Sequence, residues 1–199
     1  MMDISSNIES LALTLFDIGA IRLGQFKLRS GQMSPIYLDL RLLVSFPDAL
    51  RQATAVYRAI LETLSFDRLV GVPMAGLPIG TAVALDMNRP LIYPRQKAKG
   101  YGTGKMIEGI WEEGETAVLL DDVITYGGSL LQAAQGLREA GLIVTDAVVL
   151  VDREQGGVQR MREQDLALHA GITLSQILII LESHNRISAN KKAEVLKLL

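Results

Sequence analysis

Val118-Leu119-Leu120-Asp121-Asp122-Val123-Ile124-Thr125-Tyr126-Gly127-Gly128-Ser129 is the stretch on which the fold turns. An apolar, β-rich run ends in two acids, breaks into a Thr/Gly/Gly/Ser turn and resumes from Leu130 with helical spacing. That order predicts a strand, an anion-holding loop and a helix. Neighbouring side chains on a strand point to opposite faces, so one acid can face a ligand while the other braces the loop. Gly127 and Gly128 let the backbone approach a ligand, and the first amides of a helix offer unsatisfied donors to a phosphate. Solvated acids or simple caps also end such turns, but burying adjacent carboxylates without a ligand is costly. A magnesium-holding strand of a nucleotide hydrolase would bring a Gly-x-x-x-x-Gly-Lys-Ser/Thr loop. Gly71 and Gly76 have the glycine spacing but lead into Leu77, and Gly104-Lys105 runs on into Met106.

Upstream, Ser6-Asn7-Ile8-Glu9 reads as a capping box, and Ile8, Leu11, Leu15 and Ile18 give an amphipathic helix stopped by Gly19. Ile21 to Leu28 alternates as a strand. It leads through Phe26-Lys27-Leu28-Arg29-Ser30-Gly31 into Ser34-Pro35-Ile36-Tyr37-Leu38-Asp39-Leu40-Arg41, a hairpin-like flap. Ser45, Pro47 and Asp48 open a helix carried through Leu50, Val56, Ile60 and Leu64. A short buried strand, Arg68 to Val72, meets the turn Pro73-Met74-Ala75-Gly76-Leu77-Pro78, followed by a helix from Ile79 to Met87. Pro90 to Pro94 predicts another strand. Gln96 to Ile110, with four glycines and no sustained apolar period, predicts a mobile loop.

Downstream, the central strand from Thr116 to Asp122 precedes a helix from Gly128 to Ala140, closed by Gly141. Val144 to Val151 is the next buried strand, ending in Asp152-Arg153-Glu154-Gln155-Gly156-Gly157. A short helix near Val158 to Arg162, a strand near Leu166 to His169, and helices at Thr173 to Leu181 and Ser188 to Leu199 complete the chain. Strands and helices alternating in this way imply an α/β fold with a mainly parallel, doubly wound sheet flanked by helices. Ligands of such sheets sit beyond the carboxyl ends of the strands. The turns after Val72, Pro94, Asp122 and Val151 can therefore converge on one ligand.

At 199 residues the chain is most simply one domain, and 49% hydrophobic with 5% aromatic residues describes an aliphatic core. A net charge of −2 leaves no electrostatic footprint for nucleic acid, and no cationic amphipathic helix points to a membrane. Small molecules are the expected partners. The absence of cysteine excludes disulfides and thiolate metal sites. Met1 to Ser10 is polar, without a cationic segment before an apolar one, and no apolar run reaches ~18 residues. The expectation is a soluble, cytoplasmic protein.

Arg95-Gln96-Lys97-Ala98-Lys99-Gly100-Tyr101-Gly102 concentrates cation on flexible backbone. Surface charge explains many such runs. Between two strands of a phosphate-binding sheet, however, a cationic lid could stabilise a departing anion while excluding water. Arg153 lies at the carboxyl end of the strand expected beside that of Asp121, where a planar guanidinium could take a carboxylate bidentately. A surface ion pair with Asp152 or Glu154 is the plainer alternative. His169 and His184 lack metal-ligand spacing, and they and Trp111 read as structural.

The run from Asp121 to Ser129 resembles the phosphoribosyl-pyrophosphate (PRPP) signature of the type I phosphoribosyltransferases. With the flap around Arg29 and Ser34 to Arg41, the turn at Met74 to Pro78, the basic loop and Asp152 to Gly157, the resemblance narrows to the orotate phosphoribosyltransferase family, over nearly the whole chain. It implies a type I phosphoribosyltransferase domain spanning 1–199 with a hood from about 1–45 and 165–199. It also implies a homodimer in which loop 95–105 of one subunit closes on the partner's site. Mg²⁺ would be bound chiefly through PRPP, without a metal site of the protein's own. By the same resemblance Arg29, Met74, Arg95, Lys99, Tyr101 and the run Asp121, Asp122, Val123, Ile124, Thr125, Tyr126, Gly127, Gly128 and Ser129 hold PRPP. Lys99, Asp121 and Asp122 are the catalytic candidates. Tyr37, Leu38, Thr125 and Arg153 resemble the orotate positions, Arg153 taking the carboxylate. The implied reaction displaces pyrophosphate from the ribose by the ring nitrogen of orotate, giving orotidine 5'-phosphate in pyrimidine (UMP) biosynthesis.

The chain departs from the family's common pattern at Gln96 (often Lys), Lys97 (often Glu), Tyr101 (often His), Tyr126 (a small residue) and Ala75 (Lys in some members). Two other readings follow: a PRPP-binding regulatory protein of the same fold, or a phosphoribosyltransferase for another base, against which Arg153 argues.

Overall fold

The structure is a computed structural model describing residues 4–27, 31, 33–95 and 106–197. Helix α1 (Ile4–Asp17) leads through Gly19, in the left-handed conformation, into an antiparallel pair, β1 (Ile21–Lys27) and β2 (Met33–Leu38). A 3₁₀ turn, Leu40–Ser45, precedes α2 (Pro47–Leu61), whose opening proline costs nothing because a first-turn N–H has no intrahelical partner. Then follow β3 (Arg68–Gly71), α3 (Gly76–Met87), β4 (Leu91–Pro94), β5 (Ile107–Glu108), β6 (Thr116–Ile124) and α4 (Gly128–Glu139). The order closes with β7 (Ile143–Asp152), α5 (Gly157–Arg162), β8 (Ala167–Thr173), α6 (Leu174–Ser183) and α7 (Ala189–Leu196).

The main sheet runs β5-β4-β3-β6-β7-β8. Its strands pair in parallel except β5, which returns antiparallel on β4. Apolar side chains cover both faces, as a parallel sheet wrapped in helices requires. On one face Val118, Leu120, Val148 and Leu150 pack with Leu15 of α1, Tyr57 of α2, Val83 of α3 and Ile177 of α6. On the other, Leu119, Ala147 and Val149 pack with Leu130 and Leu137 of α4 and Met161 of α5. Each buried Leu or Val contributes about 1.5–3 kcal/mol, and the two layers fix β6 and β7 at the centre. The β1–β2 pair and the C-terminal helices join the first core group through Ile21, Ile36, Leu181 and Val195.

Several element boundaries differ from the sequence reading. Helix α1 runs from Ile4, so Ser6 lies inside it and not at its start. Helix α3 starts at Gly76, before Ile79, because Pro78 falls in the first turn, where its missing N–H is tolerated. Strand β6 continues to Ile124, so both acids lie within the strand, Asp121 opposite Val149. The expected loop from Gln96 to Ile110 contains β5, pinned by buried Ile107 and its pairing with Pro94. Strand β8, inside the 165–199 stretch, is the edge of the main sheet.

Candidate active site

At the carboxyl edge of the sheet, Asp121 is 9% exposed and Asp122 partly buried. The strand is anchored beneath them by donors from two other elements. The Tyr57 hydroxyl of α2 donates to the Asp121 carbonyl oxygen at 2.6 Å, and the Val72 N–H donates to the Leu120 carbonyl at 2.9 Å. Asp122 N–H donates to Asp121 Oδ1 at 3.0 Å, and Val123 N–H to Asp122 Oδ1 at 2.8 Å. Burial raises the pKa of Asp121, and the neighbouring Asp122 charge raises it further, to about 8. Burial raises Asp122 as well, opposed by the Val123 N–H and, more weakly, by the charge of Arg41. Two adjacent carboxyls both raised from the ordinary carboxylate value favour a ligand that brings hydroxyl donors or positive charge.

Beyond β6, Thr125 and Tyr126 form the turn into α4, and Gly127 takes φ +74° as its N-cap. A side chain at Gly127 would strike the Met161 Cε, 2.2 Å from its Cβ, so the loop lies flat on α5. No side chain caps α4. Its first amides therefore stay available to an anion, with Gly128 and Ser129 exposed beside them. Tyr126 is exposed too, so its size meets no packing obstacle.

Strand β7 delivers Arg153 to the same edge: its N–H donates to the Ile124 carbonyl at 3.0 Å. The guanidinium is half-buried, and its Nε is buried with no hydrogen-bond partner. Burial lowers the Arg153 pKa. A buried donor on a cation, lacking an acceptor, is the feature a carboxylate ligand would complete.

The turn after β3 reaches this edge because α3 starts hard against β6. A Cβ on Gly76 would sit 2.3 Å from the Leu120 carbonyl oxygen, so only glycine permits the approach. Met74, after a cis Pro73–Met74 peptide, is exposed. A cavity of about 490 Å³ opens between this turn, the end of β4 and the start of α4, lined by Val72, Pro73, Arg95, Ile107 and Ser129 among others. Arg95 is ion-paired with Glu108 across the β4–β5 stem, and its N–H donates to the Met106 carbonyl at 2.7 Å. Arg29, Lys99 and Tyr101, with Gln96 and Lys97, lie outside the described residues.

On the flap, β2 places Tyr37 and Leu38 on opposite faces, and Leu38 packs into the first core group. The Tyr37 hydroxyl accepts from Arg41 Nη2 at 3.2 Å, while Arg41 Nε donates to Asp39 Oδ1 at 2.6 Å. Arg22 lies over the rings of both Tyr37 and Phe26, at 5.2 and 5.9 Å from their centroids. In the sequence Arg41 stands only as the end of the flap, with no role of its own, and Tyr57 is unmarked, because a tyrosine at core spacing looks ordinary. His169 and His184 are bonded to Asp146 and Glu9, and Trp111 packs on the second core group. Among the described residues no three His, Cys, Asp or Glu gather as metal ligands.

A sheet of this order, with paired acids, a glycine-capped loop and Arg153 at one edge, has the pattern of a phosphoribosyltransferase. The family model for the phosphoribosyl transferase domain matches residues 47–163. Orotate phosphoribosyltransferase from Caenorhabditis elegans is 39% identical over 184 residues, 92% of this chain and 81% of the worm protein. The crystal structure of orotate phosphoribosyltransferase from Aeropyrum pernix superposes with a TM-score of 0.74 at 31% identity, covering 88% of this chain and 99% of that one. The structure of Leishmania donovani UMP synthase gives 0.88 at 39% identity and covers 96% of this chain, which spans 42% of that longer protein. The chain belongs to the orotate phosphoribosyltransferase family.

Proposed function

We infer that this chain transfers the 5-phosphoribosyl group of PRPP to orotate, the reaction of its family, and that the residues at the sheet edge divide the work. The observation that carries the reading is Arg153, whose buried, unpartnered Nε stands beside the end of β6. It takes the orotate carboxylate, which offsets the cost of a buried cation. Asp121 and Asp122 hold the ribose hydroxyls, and their negative charge favours the cationic sugar that develops as the pyrophosphate bond breaks. The amides from Tyr126 to Leu130 and the Thr125 and Ser129 hydroxyls cradle the 5-phosphate. Tyr37, held by Arg41, borders the base. Arg29, Arg95, Met74 and Tyr101 face PRPP or pyrophosphate, and Lys99 stabilises the departing charge from the loop.

The donor set at this edge suits Mg²⁺, a hard cation that takes one or two carboxylates together with substrate phosphates. Asp121 and Asp122 are the carboxylates beside which it would be held, chiefly through PRPP's own oxygens. When bound, the ion neutralises charge on the diphosphate. Loop 95–105 closes on the site of a partner subunit in a homodimer. Among the described residues no helix is long and apolar enough to cross a membrane.

The test is the orotate absorbance change on mixing protein, orotate, PRPP and Mg²⁺. Signal that needs both substrates and vanishes in the Asp121→Asn, Asp122→Asn double variant is expected. PRPP binding without orotate consumption would overturn the reading.

A further inference from the structure

The Arg153 guanidinium has no acceptor on Nε to aim it, so its direction is set by the backbone that carries it. That backbone is held on both sides. Arg153 N–H is tied to the Ile124 carbonyl, and the next residue, Glu154, takes φ +57°, a left-handed conformation that costs a non-glycine residue about 1–2 kcal/mol. Two contacts offset that cost. Glu154 N–H donates to Asp152 Oδ1 at 2.8 Å, and Glu154 Oε2 accepts the N–H of Ser175 at 2.7 Å. Ser175 is the second residue of α6, so the carboxylate also meets the positive end of that helix.

Helix α6 is a firm post. Its N-terminus is closed by a reciprocal capping box between Thr173 and Gln176, and Leu174, Ile177, Leu178 and Leu181 are buried in the core. Both acids flanking Arg153 are thus engaged by backbone N–H groups, Asp152 by Glu154 and Glu154 by Ser175. This diverts them from the ion pair that their sequence adjacency suggests and leaves the guanidinium for a ligand.

We propose that Glu154 is a positioning residue, setting Arg153 for the substrate carboxylate by tying the loop after β7 to the first turn of α6. The proposal rests on the reading of Arg153 as the orotate-carboxylate donor. Glu154 touches no reacting atom. Its effect falls on orotate and not on PRPP, whose proposed contacts come from other segments: β6, the turn into α4, the turn after β3, and Arg29, Arg95, Lys99 and Tyr101.

Glycine at 154 keeps the left-handed backbone without strain, so Glu154→Gly isolates the loss of the carboxylate, while Glu154→Gln keeps an oxygen acceptor. Steady-state kinetics on these variants and Arg153→Ala, with melting curves to confirm folding, test the proposal. Glu154→Gly is expected to raise KM for orotate about tenfold with KM for PRPP within about twofold of the parent, and Glu154→Gln to recover most of the loss. Combined with Arg153→Ala, Glu154→Gly adds little further loss, because both act through one guanidinium. An unchanged KM for orotate in Glu154→Gly, or equal rises in both KM values, overturns the positioning role while Arg153 keeps its own. If Arg153→Ala itself leaves orotate binding intact, the carboxylate reading falls, and this proposal with it.

Discussion

Asp121 carries a mostly buried carboxyl beside a second acid, and folding and binding make opposite demands on it. Its pKa, raised by burial and then by Asp122 to about 8, lies above the value near 4 of an unfolded chain. Between those values the folded chain keeps a proton that the unfolded chain gives up, so this contribution to stability is full at low pH and is lost as pH rises toward 8. Asp121→Asn removes the titration. Its melting temperature is expected to exceed the parent's by several degrees at about pH 8, with the gap closing toward about pH 5, while turnover is lost. A gap that does not change with pH would show that Asp121 is not held protonated in the free protein. The paired acids and Arg153 were legible in the sequence because they break an apolar pattern at a strand end. Tyr57 and Glu154 were not: a buried tyrosine that donates to a carbonyl has the spacing of any core aromatic. A glutamate that caps a helix 21 residues later leaves no local mark.

Among the elements, the joints at the amino edge of the sheet are held by Arg138, from the last turn of α4. Its Nε and Nη2 donate to the Val144 carbonyl, Nη1 to Gln164 at 3.0 Å and Nη2 also to Asp165 at 2.8 Å. One planar cation thereby joins the end of α4, the start of β7 and the turn between α5 and β8. Arg138→Ala leaves these carbonyls without their donor and is expected to cost about 2–4 kcal/mol, read as a lower urea midpoint with unchanged slope. Arg138→Lys recovers less than half, since an ammonium cannot reach three carbonyls in one plane. Because these joints lie at the opposite edge from Asp121 and Arg153, kcat well below the melting temperature stays near the parent's. A change in kcat matching the loss of stability would contradict that separation. Strands β3, β6 and β7 were readable as short apolar runs ended by Gly, Pro or acids. Strand β5 was not, since two residues carry no period and only pairing with β4 makes them a strand. The 3₁₀ turn at Leu40–Ser45 went unread for the same reason: its buried Leu40 and Leu43 answer to α2 and β6, not to a local repeat.

For the whole molecule, the rule that parallel sheets bind ligands at their carboxyl edge places the turns after Val72, Pro94, Asp122 and Val151 together from sequence alone. A local sequence pattern does not show what would close the site, because the segments around it are far apart in the chain. The β4–β5 stem from which residues 96–105 spring is locked by the Arg95–Glu108 ion pair and carries exposed Tyr93 and Met106, with Ile110 exposed just beyond it. A second copy of the chain docked at this stem would cover these apolar side chains. If the segment serves the partner's site, two dead variants can repair one another. Lys99→Ala alone is expected to lower kcat far more than it raises KM for PRPP, whereas the Asp121→Asn, Asp122→Asn variant lacks the sugar site. In a heterodimer of the two, the intact loop of the acid-less subunit closes over the intact acids of the other. Random exchange of equal amounts makes about half the dimers mixed, each with one complete site of two, so activity should return to about a quarter of the parent's. Recovery that follows the rate of subunit exchange supports the shared site. Activity no greater than the sum of the two variants, in a mixture shown by sedimentation to contain exchanged dimers, would mean that each loop closes over its own subunit.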